Sequence, residues 1–288
     1  ECLTFDGASM DPLTGEVYNT GVFDDTIKTN NISGKIGLDY LPNEDWLVYG
    51  SISTGFKSGG YNGNVANDYA QLEAYKEEEL LAYEIGFKGT LLDNSMQLNG
   101  AVFYYDYSDY QAFLFIGVGG VVINADAENY GVEFELKTNP IDGLDIMLSA
   151  GWFDATVKDI PLRNGSPLPP RDVDPTYAPE LQATALIRYE WSSFAEGTMA
   201  VQADVSYSDE YYYNLRNFDA DKFDSYVMSN ARVSWLSAEE NWELALAVRN
   251  ITDERAGIQG FDLATLCGCN EVSYRAPRIV AMNVKYSF

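Results

Sequence analysis

Six residues stand out for the chemistry their types permit: Arg163 and Arg171 in a proline-rich stretch, then Tyr211, Tyr212, Tyr213 and Arg216 further on. A guanidinium pairs with anionic oxygens and a phenol ring stacks on flat groups, so the set suits a ligand both anionic and aromatic. Tyr occurs 21 times in the chain, and ordinary loop or interfacial aromatics account for these three at least as simply. Glu133 and Glu135 share one side of a strand and offer the paired carboxylates of a glycosidase; charges that hydrate an interior are the simpler account. Asp219-Ala220-Asp221 carries oxygens that a divalent cation takes, although a solvated charge run explains it as well.

Other chemistries are closed. The chain has no histidine, so it cannot supply a Ser-His-Asp or Cys-His nucleophile, or a His-ligated zinc or haem. Its three cysteines, Cys2, Cys267 and Cys269, form no zinc-ligand pattern. No catalytic residue, metal site or cofactor is expected. The net charge is -26, from 44 acidic and 18 basic residues. A surface this acidic repels phosphate backbones, which argues against nucleic acid as a partner.

The elements that position these residues read as strands. No apolar run is long enough for a helical membrane span, the nearest being Phe113 to Ile123. A membrane barrel stays open, because its strands alternate and score as polar on average. Glu1-Cys2-Leu3 lacks a basic start and an apolar core, so a signal peptide is either already removed or the chain begins mid-protein.

The hairpin AYEIGFKGTLLDNSMQLNGAVFYYDYSDYQ (Ala82 to Gln111) is the repeating unit. Tyr83, Ile85 and Phe87 alternate with Glu84, Gly86 and Lys88, and Leu92-Asp93-Asn94-Ser95 is turn chemistry that tolerates left-handed backbone. The same period recurs from Ile36 to Tyr40, Trp46 to Ser53, Tyr130 to Lys137, Leu144 to Trp152, Leu181 to Trp191, Met199 to Ser208, Val227 to Trp235, Trp242 to Arg249 and Val280 to Phe288. That makes about eleven strands. Loops are expected over 57–76, 161–179, 214–224 and 252–275, with a tight connection at Gly117–Gly120.

Two regularities decide the class. Short turns alternate with mostly long loops, as in outer-membrane barrels. Trp46, Trp191, Trp235 and Trp242 all sit beside short turns, and aromatic rings at one height are what a lipid–water interface selects. The polar faces carry charged residues that a dry core would not accept, so they require a wet lumen. The expected fold is all-β, an antiparallel transmembrane β-barrel. A soluble sandwich is the weaker alternative.

The chain resembles the C-terminal half of the barrel of a TonB-dependent outer-membrane receptor. The resemblance rests on YGSISTGFKSGGYN (Tyr49–Asn62), the hairpin above, NYGVEFELKTNPIDGL (Asn129–Leu144), RNITDE (Arg249–Glu254) and the closing APRIVAMNVKYSF, and extends from about Asn31 to the end. It implies a barrel of about 22 strands with a plugged lumen. Residues 1–28 would then be an extracellular loop and 29–288 the C-terminal half of the barrel. The plug, the TonB box and the earlier strands would lie outside this chain, which is expected to be a fragment or one part of a larger barrel.

The resemblance further implies localisation in the bacterial outer membrane and energy-coupled uptake of a scarce ligand, most often a ferric siderophore, with no enzymatic step. The alternative is a passive porin or substrate-specific channel. Implied partners are TonB with ExbB and ExbD through the plug, the barrel-assembly machinery, lipopolysaccharide and membrane lipid, and a ferric chelate. Arg163, Arg171, Tyr211, Tyr212, Tyr213 and Arg216 fall where the family captures its ligand. Tyr286 and Phe288 match the aromatic assembly signal on the last strand. Cys267 and Cys269 could close a tiny disulfide loop in an oxidising exterior, or one could pair with Cys2 or with a cysteine of the absent half.

Overall fold

The computed structural model describes residues 2–3, 22–23, 26–62, 74–116, 119–161 and 169–288. Eleven long strands run through these residues as one antiparallel meander, each paired with its neighbours in sequence. They are β1 (Lys35–Asn43), β2 (Trp46–Lys57), β3 (Glu78–Leu91), β4 (Met96–Ile116), β5 (Gly119–Thr138) and β6 (Leu144–Ile160). The rest are β7 (Leu181–Ser192), β8 (Thr198–Ser208), β9 (Tyr226–Leu236), β10 (Trp242–Arg249) and β11 (Ile279–Tyr286). The expected fold class and strand count hold. Among the described residues β1 and β11 have no partner on their outer sides. An odd number of alternating strands also leaves the two running in the same direction, so they cannot close on each other antiparallel.

The turn chemistry works as the sequence implies. Leu92, Asp93 and Asn94 all take positive φ between β3 and β4, and Ser95 Oγ donates to the Leu92 carbonyl at 2.7 Å. Between β1 and β2, the Asn43 carboxamide oxygen accepts the backbone N–H groups of Asp45 and Trp46, each at 3.0 Å. Asx bonding of this kind closes a hairpin in few residues.

Alternation sends apolar residues to one face. Ile36, Leu38, Ile52, Ile85, Val102, Val132, Ile187, Leu246, Val280 and Met282 are all exposed there. Aromatic rings bracket this band. Near the short turns Tyr189 stacks with Trp191, Phe194 with Trp235, and Trp242 lies 4.7 Å from Tyr286 between ring centroids. Toward the long loops Tyr83 pairs with Tyr104 and Tyr130 with Trp152. Just beyond, the same face turns polar: Tyr130 donates to Asp154 at 2.6 Å, and Lys158 pairs with Glu128 at 3.3 Å. Roughly eight residues separate the upper rings from the short turns on β4 and β5, about 26 Å of strand. That suits the ~25 Å apolar band of an outer-membrane barrel.

The opposite, concave face is wet. Tyr49, Lys88, Asn99, Glu133, Glu135, Ser149, Gln182 and Thr184 line a concavity of about 520 Å³. Glu135 takes hydrogen bonds from Lys137 at 3.0 Å and Asn99 at 3.1 Å, so this carboxylate is held in a polar network.

β4 and β5, with 21 and 20 residues, are the tallest strands. At ~3.3 Å per residue each is about 70 Å long, far more than a bilayer requires even when tilted. A bulge between Tyr107 and Tyr110, with Asp109 at φ 53, bends β4 as it leaves the band. Above it, Ala112, Leu114, Ala127, Val157, Ile160, Val173 and Leu215 form the main buried apolar cluster.

Candidate functional site

The long-loop end is a folded body built on the tall β4–β5 hairpin. On one side the β2–β3 connection is fastened by side-chain amides that stand in for strand pairing. Gln111 Nε2 donates to the Ser58 carbonyl at 2.8 Å and the Lys76 carbonyl at 3.1 Å. Asn62 both accepts from and donates to the backbone of Val122, at 2.7 Å and 2.9 Å. On the other side, Val173 of the β6–β7 connection and Leu215 of the β8–β9 connection sink into the apolar cluster. Arg171–Val173 pairs as a short strand with the upper part of β6.

The stretch expected as a loop over 252–275 is a third structured piece. Gly257–Leu263 and Cys269–Tyr274 form a hairpin, joined through the single helical turn Ala264–Cys267. Cys267 and Cys269 are bonded through their Sγ atoms, with Cα atoms 5.3 Å apart. The side chain of Cys2 and the site residue Arg163 lie outside the described residues, as does nearly all of 1–28.

This hairpin is locked to the β8–β9 connection. Tyr211, Tyr213 and Phe223 are buried together, and Gly257 and Gly260 of the hairpin lie under the Phe223 and Tyr213 rings. A Cβ at Gly260 would come within 2.6 Å of the Tyr213 ring, so the close approach requires glycine. Burial pushes the Tyr213 phenol up to about 12, with the nearby Asp221 and Asp262 carboxylates adding to it. Arg216 Nη2 meets Asp262 Oδ2 at 3.1 Å, and Asn214 Nδ2 donates to the same oxygen at 3.3 Å.

Two of the six sequence-derived residues meet on a third. Arg171 donates to the backbone carbonyls of Arg216 and Asn217, the latter at 2.9 Å. Its guanidinium lies 5.8 Å from the Phe218 ring centroid, and that of Arg216 lies 5.7 Å from it. Phe218 itself is exposed. Tyr212 lines a separate cavity of about 210 Å³ with Phe153, Asp174, Glu180, Asp209 and Glu210. Burial pushes the Asp174 and Glu180 carboxyls up, and neighbouring acids, Asp154 among them, add to it. Tyr211 and Tyr213 serve as packing between loops. Phe218, Asn214, Asp262 and Asn270 were not legible as site residues, because each matters through a partner 47 to 57 positions away in a different loop; no local pattern marks them.

The description "TonB dependent receptor-like, beta-barrel" matches residues 5–251. The chain belongs to this family. It is therefore an outer-membrane barrel chain, its short turns periplasmic and its long loops extracellular. Over 118 residues it is 30% identical to the pesticin receptor of Yersinia enterocolitica, covering 40% of this chain and 17% of that protein. Among solved structures, the ferric yersiniabactin uptake receptor FyuA from Yersinia pestis superposes with a TM-score of 0.73 at 20% identity, over 89% of this chain and 37% of the other. The ferric-catecholate import receptor Fiu from E. coli K12 gives 0.67 at 19% identity, over 96% and 38%. The ferripyoverdine receptor of Pseudomonas aeruginosa gives 0.68 at 16%, over 92% and 34%. At these identities the solved structures speak to the fold, and this chain spans under two-fifths of each of them. The TonB-dependent receptor chain thus places Arg171, Arg216 and Phe218 in its extracellular loops, with the wet concavity below them.

Proposed function

We propose that the chain supplies the C-terminal half of an energy-coupled outer-membrane receptor that captures a ferric siderophore. The observation that carries this reading is the convergence of two guanidiniums, Arg171 and Arg216, on one exposed ring, Phe218, at the extracellular end. The exposed Arg171 guanidinium neutralises the carboxylate or catecholate oxygens of a ferric chelate while the Phe218 ring contacts its flat rings, and Arg216, largely buried and paired with Asp262, fixes the loop that presents the ring. The names of the solved relatives, which are receptors for ferric chelates, support the same class. No group in the site requires an enzymatic role.

The unpaired edges of β1 and β11 support a larger barrel, since open strand edges are not tolerated in lipid. Further strands would pair with both, and a plug would fill the wet concavity and pass energy from TonB with ExbB and ExbD. Residues 1–28 would form an extracellular loop of that barrel. Family membership weighs against the passive porin. Assembly machinery reading Tyr286 and Phe288, and lipopolysaccharide around the aromatic bands, complete the proposed partners.

The test is iron-limited growth of cells with the intact gene, with Arg171→Ala or with Phe218→Leu, scored on a panel of ferric chelates. One chelate class should lose at least tenfold in uptake in both variants, while growth on an iron salt stays the same. Equal uptake of every chelate by the variants and the parent would sink the assignment.

A further inference from the structure

Asp221 is 1% exposed and sits where two extracellular loops meet, the β8–β9 connection that carries it and the hairpin of residues 257–274. Its Oδ1 accepts from Asn270 Nδ2 at 3.1 Å, and its Oδ2 is buried without a hydrogen-bond donor. The Tyr213 hydroxyl is adjacent and carries a single proton for two acceptors, the Ala220 carbonyl at 2.8 Å and the Asp221 carboxylate. The charged groups facing Asp221 are Asp262 from the hairpin and Arg216 from its own loop. Asp262 has its own donors: Arg216 Nη2 at 3.1 Å, Asn214 Nδ2 at 3.3 Å and the Ala264 N–H at 2.9 Å. Of two neighbouring buried acids, Asp262 has a guanidinium and two further donors, whereas Asp221 has only the Asn270 amide and a share of the Tyr213 hydroxyl.

A buried carboxylate oxygen lacking a donor is costly, and a proton removes that cost while providing a donor for the Tyr213 oxygen. We infer that Asp221 is a proton-operated latch: protonated, it holds the β8–β9 loop against the 257–274 hairpin, and ionised, it loosens that contact. Burial first, then Asp262, pushes the Asp221 carboxyl from 3.8 up to about 6, in keeping with this geometry. The packed pKa lies above the solvated one, so packing takes up a proton. The penalty is relieved as pH falls through about 6 and is fully present above it. Opening returns Asp221 to water, so the closing equilibrium strengthens roughly tenfold between about pH 7.5 and about pH 5. The latch requires no ligand and stands apart from the transport reading.

Amide hydrogen exchange on the intact receptor in detergent, corrected for intrinsic rates, tests it at these two pH values. Residues 211–223 and 257–274 should exchange roughly tenfold more slowly at the lower pH, while 110–114 in the apolar cluster stays unchanged. Asp221→Asn, neutral and of the same shape, should abolish the response and protect both loops at either pH. Asn270→Ala removes the donor to Oδ1 and should move the midpoint of the response upward in pH, which keeps the inference testable if Asp221→Asn does not fold. The latch is wrong if the parent shows no pH response, if Asp221→Asn keeps it, or if Asn270→Ala leaves the midpoint in place.

Discussion

Arg216 and Asp262 meet across two loops, Nη2 to Oδ2 at 3.1 Å, with their side chains only 11% and 7% exposed. A pair this sheltered from water behaves differently from a surface salt bridge: removing one member leaves the other charge buried. Arg216→Met should therefore weaken the contact between the loops by about 3 kcal/mol. Asp262→Asn keeps an acceptor for Asn214 but leaves the Arg216 charge buried without its counter-charge, and should also cost about 3 kcal/mol. Limited proteolysis of the loops checks this, and the barrel should still migrate as a folded species on unheated gels.

The apolar cluster above the membrane gives a second expectation. Ile160 is 0% exposed and packs with Val157, Val173 and Leu215. Ile160→Ala should open a cavity costing about 3 kcal/mol. Because the cluster ties two loops to the tall β4–β5 hairpin, chelate binding should drop while assembly into the membrane continues. Radiolabelled chelate binding to whole cells, normalised to barrel abundance, would measure it.

At the periplasmic end, Gly143 has φ +78, and a Cβ there would come within 2.2 Å of the Glu190 carbonyl oxygen. Its own carbonyl accepts the Glu190 N–H at 2.8 Å, fastening the turn to β7. Gly143→Ala should cost about 1–3 kcal/mol through the backbone and the displaced strand. Slower appearance of heat-resistant barrel in pulse-chase assembly is the expected result, with normal extracellular loops once folded.

The bond between Cys267 and Cys269 closes a very small ring beside Asn270, which donates to the Tyr213 oxygen at 2.7 Å and the Ala220 carbonyl at 2.9 Å. Chain entropy alone gives such a ring about 1.5 kcal/mol. Replacing both cysteines by Ser should raise exchange in residues 257–274 severalfold and leave β10 and β11 as they were. Peptide-resolved hydrogen exchange separates the two regions.

The strands were legible because a barrel wall is a local code. Ile85 and Val102 face lipid while Glu84 and Lys88 face water, and period-two alternation with Asp and Asn turns writes that down in each hairpin separately. The tryptophans beside the short turns marked the interface for the same reason: their environment depends on height along a strand, which residue spacing encodes.

The loops obeyed no such code. The 257–274 hairpin carries glycines where a strand usually carries side chains, since rings from another loop, Tyr213 and Phe223, cover that face. Asp221 reads as part of a solvated acidic run, yet it is buried, because Asn270 of the 257–274 hairpin and Tyr213 from the other arm of its own loop enclose it. Sequence by itself determined the membrane wall, its two faces and its direction, all set by each residue's exchange with lipid or water. Only the tertiary structure decided which loops lock together and that Arg171 and Arg216 both approach the Phe218 ring, because contacts between distant segments depend on how the chain closes in space.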